Sequence, residues 1–232
     1  VRTVAEPETV TTLTTSWWWG FAVFAAAAVV HILALALDAG DVARPTKLLL
    51  MPLLVLAALW AWRGTRRGAI PVALVIALIL SWFGDGAATF FPFAPELPMM
   101  LLCFGLAHVV YIWLFLTRLA RRRVPMWALV YAAWWLVLVI VLWPHLGGLA
   151  FAVAAYGLVL AGTATAAARC GGVIALGGAF FLASDTVLAF RLFLPDAMPD
   201  WTSPLVMLTY CLGQALIAAG VVLATSTRVT TT

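Results

Sequence analysis

The sequence predicts an all-α polytopic membrane protein, a bundle of eight transmembrane helices with both termini on the cytoplasmic side. Three observations carry this reading. The 232 residues are 66% hydrophobic and 9% charged, and the mean hydropathy is +1.11, values well outside those of a soluble globular domain. Eight apolar segments reach about the 20 residues that a helix needs to cross a hydrocarbon core about 30 Å thick. Ten of the thirteen Lys and Arg residues fall on one side of the resulting alternation, as membrane orientation requires.

The segments follow one another with short, turn-rich breaks. The first, residues 17–37, opens on Trp17, Trp18 and Trp19 and ends at DAGDVARPT. The second, 46–62, is one of the two shortest and stops at RGTRRGAIP. The third, 70–91, closes at PFAPELP, and the fourth, 98–117, at RLARRRVP. The fifth, 125–143, is the other short one and ends at PHLGG. The sixth, 148–168, stops at RCGG, the seventh, 172–193, at LPDAMPDWTSP, and the eighth spans 203–224. Residues 1–16 and 225–232 read as tails around a single transmembrane domain, 17–224. VRTVAEPETVTTLTTS carries two acids and one Arg before a span of full length, so it does not read as a cleavable signal peptide.

Arg2, Arg63, Arg66, Arg67, Arg118, Arg121, Arg122, Arg123, Arg169 and Arg228 share one side, leaving Arg44, Lys47 and Arg191 on the other. The first set marks the cytoplasmic face. Trp17, Trp18, Trp19, Trp60, Trp62 and Trp127 fall at that boundary, with Trp143 and Trp201 at the outer one, as interfacial anchors. Basic residues confined to short loops exclude nucleic acid as a partner. Cys103, Cys170 and Cys211 form no CxxC pair and read as small buried hydrophobes.

Four ionisable residues lie at membrane depth, where a charge costs several kcal/mol unless it is neutral, paired or hydrated. They are His31, Asp85, His108 and Asp185. At 1.5 Å per residue, Asp85 is roughly 9 Å below the outer end of its helix, Asp185 about 12 Å and His108 about 15 Å. Tyr210 and Gln214 share a face at i, i+4, with Gln214 roughly 16 Å deep. Ser81 stands four residues before Asp85, and Tyr111 three after His108, so each shares its neighbour's face. One cavity open to the outer surface explains all of these groups together. A single buried Asp can instead act as a hydrogen-bonded staple between helices, but two at one depth favour a site. His31 reads as a packing histidine held by Asp38, and Lys47 can snorkel to the interface. Arg191, about 120° off the face of Asp185, reads as an interface residue. Ser184, about 100° from Asp185, reads as packing. Ser and Asp in both SWFGD and ASD hint at a duplication, too slight to carry weight.

In order, RPTKLLLMP, LILSWFGDG, LCFGLAHVVYI, FFLASDTVLAF and LTYCLGQALIA resemble the YhhN family of lysoplasmalogenase-like membrane proteins. No single motif is specific; the ordered set, which covers nearly the whole chain, carries the resemblance. One departure follows Lys47, where Leu48 stands in place of an expected Pro. The resemblance implies hydrolysis of the vinyl ether bond of lysoplasmalogens to a fatty aldehyde and glycerophospho-ethanolamine or -choline, in the cell membrane, the inner membrane for a bacterial chain. It implies a lysophospholipid substrate and no cofactor or metal.

That chemistry suits the residues. Protonation of a vinyl ether carbon gives an oxocarbenium ion that water captures, so the site needs a protonated acid and a carboxylate, as glycosidases do. Two carboxyl groups in one low-dielectric cavity can hold these different states. Asp85 and Asp185 are the expected pair. His108, Tyr210 and Gln214 would orient water or the glycerol hydroxyls, with Ser81 and Tyr111 beside them, and Lys47 would face the phosphate. Two other readings use the same polar residues. One is a metal-dependent lipid amide hydrolase with His31, His108 and one Asp as ligands; the other is a proton-coupled transporter using both Asp.

Overall fold

A computed structural model describes residues 17–63 and 68–226. The described residues are helical with short connections: α1 (Trp19–Ala36), α2 (Gly40–Ala61), α3 (Ala69–Asp85), the single turn α4 (Ala87–Phe90), α5 (Glu96–Leu114), α6 (Leu129–Leu142), α7 (Ala150–Ala167), α8 (Gly172–Phe193) and α9 (Thr202–Ser226). A π-helical turn, Phe115–Leu119, prolongs α5, and 3₁₀ turns flank α6. Helices are the expected solution, because a backbone crossing lipid must satisfy its N–H and C=O groups within its own segment. Seven of these stretches are long and apolar enough to cross a membrane, and α3, at 17 residues, is apolar but shorter. The protein is a multi-pass α-helical membrane protein.

Small residues decide which faces meet. With lipid outside, helices gain little from burying Leu rather than exposing it, so tight packing at Gly and Ala sets the contacts. The closest pairs are α8 with α9, α1 with α2, and α3 with α5, and α6 stands outermost against α7. Gly177 of α8 and Gly213 of α9 sit where the two backbones nearly touch. A Cβ on Gly177 would lie 2.8 Å from the Ile217 nitrogen, and one on Gly213 2.8 Å from the Phe181 nitrogen. Neither backbone can yield locally, so Gly213→Leu is expected to cost more than about 2 kcal/mol by overpacking. Thermal unfolding in detergent checks this, with Gly148→Leu, which meets open space, as the control.

The two ends of the bundle differ. At the end where α2, α5 and α7 finish, Leu54, Leu74, Leu114, Phe115 and Val221 fill the centre. Arg63, Arg118, Arg121, Arg122, Arg123 and Arg169 lie at that end. Arg122 Nε donates to the Ala168 carbonyl and Arg169 Nε to that of Arg122, both at 2.9 Å. At the opposite end, where α1, α3, α6 and α8 finish, the centre is hollow.

Several expected boundaries move. The third segment, expected to be continuous over 70–91, stops at Asp85 and restarts as α4 after Gly86. Side chains press on both neighbouring glycines: a Cβ on Gly84 would lie 2.6 Å from the Phe104 ring, and one on Gly86 2.4 Å from that of Phe90. Asp85 therefore ends a helix. The second segment begins at Gly40, not residue 46. Pro45 lies only one turn in and removes a single backbone donor there. Trp62 is buried, 8% exposed, with Nε1 donating to Thr225 Oγ1 at 3.1 Å, so it packs inside rather than at the interface. Thr225 and Ser226 belong to α9. Arg2, Arg66, Arg67, Arg228, the 1–16 segment and residues 227–232 lie outside the described residues.

Candidate functional site

The hollow end holds a cavity of about 310 Å³. Every helix except the short α4 contributes to its wall. His31 comes from α1, Arg44 and Lys47 from α2, Asp85 from α3, Tyr156 from α7, Asp185 and Arg191 from α8, and Tyr210 from α9. Apart from Ser184 and Ser203 the remaining wall is apolar and includes Met100, Leu101 and Phe104 of α5, Trp134 and Leu138 of α6, and Leu188 of α8. Polar groups thus come from α1, α2, α3, α7, α8 and α9, while the α5 and α6 side is lined by hydrocarbon. Arg44 and Leu192, both in the wall, are exposed, so the cavity reaches the surface. A site with this division suits a molecule having one polar end and one apolar tail.

Each carboxylate is held in the same way. Tyr210 Oη donates to Asp85 Oδ2 at 2.7 Å, and Tyr156 Oη donates to Asp185 Oδ2. Since each phenol spends its proton on a carboxylate, its oxygen is left to accept. Gln214 Nε2 approaches Tyr210 Oη at 3.5 Å, and His108 Nε2 approaches Tyr156 Oη at the same distance. Two parallel chains result: amide to phenol to Asp85, and imidazole to phenol to Asp185. The Phe181 ring lies between them, 4.6 Å from the His108 centroid and 5.4 Å from that of Tyr210. Both carboxyl groups are half-buried, and Asp85 acts electrostatically on Asp185. Their second oxygens have no hydrogen-bond partner among the described residues.

The sequence-predicted residues divide into two layers. Lys47, Asp85, Asp185 and Tyr210 line the cavity together. Ser81, His108, Tyr111 and Gln214 are fully buried behind its wall. Gln214 is the hub of that second layer, donating to Ser81 Oγ at 3.1 Å and accepting from Tyr111 Oη at 2.7 Å. Lys47 acts electrostatically on both Asp85 and His31, yet no carboxylate among the described residues pairs with it.

Three expectations change. Thr46, not Asp38, holds His31, whose Nδ1 lies 3.0 Å from Thr46 Oγ1. Asp38 instead follows the end of α1 with a positive φ of 53°. Arg191 is part of the cavity wall, anchored to Thr202 Oγ1 at 2.5 Å and the Pro199 carbonyl at 3.2 Å. His31, His108 and an Asp do not meet as a ligand trio, and among the described residues no three His, Cys, Asp or Glu side chains form a metal-binding group. Ser184 is buried, belongs to the cavity wall and donates to the Val206 carbonyl at 2.9 Å.

Sequence reading missed Tyr156. Its signal was depth: eight residues into the sixth segment it lies about 12 Å from the outer end, level with both Asp residues. No curated protein and no solved structure matches the chain. The YhhN family model matches residues 42–221, which include α2 through most of α9 and seven of the eight ionisable residues named in the cavity wall, and the chain belongs to the YhhN family.

Proposed function

We propose that the protein hydrolyses the vinyl ether bond of lysoplasmalogens, releasing a fatty aldehyde and a glycerophospho-ethanolamine or -choline. The observation that carries this reading is the pair of half-buried carboxyl groups, each held by one phenol, in a cavity with a cationic corner and an apolar wing. In the reaction one carboxyl group gives its proton to the β-carbon of the alkenyl ether. The electrons of the C=C bond form the new C–H bond, and the ether oxygen stabilises the resulting cation. The other carboxylate faces that cation and takes a proton from the water that adds to it. The hemiacetal then breaks its bond to the glycerol oxygen, which takes the proton that the second carboxylate gained from water, while the hemiacetal hydroxyl returns its proton to the first carboxylate and aldehyde leaves.

Ser81, Tyr111, His108 and Gln214, lying behind the wall, act on this reaction through the phenols rather than on the substrate. Lys47 takes the phosphate, and the alkenyl tail lies along Met100, Leu101, Trp134 and Leu138. The split wall suits a single-chain lipid better than a small solute, which favours the enzyme over a transporter. In this reading α3 is the eighth span, 17–224 is one transmembrane domain, both termini are cytoplasmic, and the cavity opens to the outer side of a cell membrane, the inner one in bacteria.

Aldehyde release from 1-alkenyl lysophospholipids by the purified protein tests the reading. Turnover that persists with a chelator supports it over the metal-dependent amide hydrolase. Absence of aldehyde, with turnover of an N-acyl lipid instead, would sink it. Lys47→Met is expected to raise KM about tenfold with kcat changed less than threefold, because the phosphate contact serves binding in ground and transition states alike.

A further inference from the structure

Trp82 takes part in no step above. It stands in α3 one turn before Asp85, and its indole Nε1 donates to the Leu48 carbonyl of α2 at 2.8 Å. The sequence explains why that carbonyl is free. In an α-helix the carbonyl of residue 48 accepts from the N–H of residue 52, and residue 52, inside α2, is Pro. Pro52 has no N–H, and its ring crowds the carbonyl one turn back. A carbonyl that lacks its helical donor within a membrane span needs a partner from a neighbouring helix. Trp82 supplies it, and its ring is held in turn by an edge contact with Phe90, 4.7 Å between centroids.

Leu48 also meets the other side of Asp85. A Cβ on Gly86 would lie 2.8 Å from Leu48 Cδ2, so the Leu48 side chain rests on the residue that follows the carboxylate. The chain neighbour of Lys47 is thus tied to α3 both at Trp82, before Asp85, and at Gly86, after it. Lys47 and Asp85 belong to different helices, line one cavity and interact electrostatically. A lipid whose phosphate meets Lys47 while its ether bond meets the carboxyl pair needs both groups in place at once, so their separation decides how well it is seated. We infer that Trp82 is a positioning residue: through the carbonyl that Pro52 leaves free, it holds Lys47 at the separation from Asp85 that lets one substrate reach both. This rests on the reaction proposed above and on Lys47 as its phosphate contact.

The test is steady-state kinetics of aldehyde release from a 1-alkenyl lysophospholipid by Trp82→Phe, alone and combined with Lys47→Met. Phe keeps an aromatic ring and loses the N–H. Trp82→Phe is expected to raise KM about fivefold with kcat changed less than threefold, and to change KM less than twofold once Lys47 is replaced. Misfolded protein lowers the apparent kcat and leaves KM alone, so a packing role by itself does not give this split. As a closer isostere, 3-benzothienylalanine at position 82 keeps the fused ring without the N–H and is expected to give the same split. An unchanged KM with 3-benzothienylalanine, or a KM effect that persists in full beside Lys47→Met, overturns the inference, while aldehyde release leaves the reaction standing. Lys47→Met with the parent's KM overturns it as well, by removing the contact that Trp82 positions. A parent that releases no aldehyde overturns the reaction and the inference together.

Discussion

Asp85→Asn and Asp185→Asn are each expected to lower aldehyde release by about 10³-fold or more, with the protein still folded. Loss of a proton donor or acceptor in the transition state commonly costs 10² to 10⁴, and either change also removes a charge that faces the cation. Asn preserves side-chain size and still accepts from the phenol, so Tyr210 and Tyr156 need not lose their partners. Both variants are therefore expected to unfold within a few degrees of the parent. Because the two carboxyl groups serve one reaction, the double variant is expected to be little worse than the poorer single one. Additive losses would mean that the two act separately. Full activity in both folded variants would remove the carboxyl pair from the mechanism.

Tyr156→Phe and Tyr210→Phe are expected to lower kcat about 10- to 100-fold, the effect of removing one hydrogen bond to a charged group. Each phenol acts through its own carboxylate, so the cycles should be specific. Tyr210→Phe is expected to change little in an Asp85→Asn background but to keep its effect in Asp185→Asn, and Tyr156→Phe the reverse. A structural role alone would lower the unfolding temperature in every background without this pairing. Steady-state kinetics of the eight variants in these four cycles, beside their unfolding temperatures, separates the two outcomes.

The pairing itself was only partly legible in the sequence. Depth along a helix follows from counting residues, and counting brought Asp85, Asp185 and His108 to comparable depths below the end where Lys47 opens its helix. Which helices adjoin does not follow from counting. Tyr156 stands in an Ala- and Gly-rich segment, where a lone Tyr reads as an interfacial residue until α7 is known to pack against α8. Gln214, Ser81, His108 and Tyr111 have the right depth but face the interior between helices rather than the cavity, and only the packed bundle separates those two interiors. The break after Asp85 was hidden for a related reason. Its glycines are forced by the rings of Phe104 and Phe90, and one of those rings comes from another helix. The long apolar helices themselves were legible, because they rest on length and hydropathy, which the sequence displays directly.

The central claim is that a carboxyl group of this protein protonates an alkenyl carbon. Hydrolysis of a 1-alkenyl lysophospholipid by the parent protein in D₂O, with the aldehyde reduced as it forms and examined by mass spectrometry, tests that step directly. One deuterium on the carbon next to the former carbonyl is the result the account predicts. Aldehyde without that deuterium, or no aldehyde at all, would contradict it.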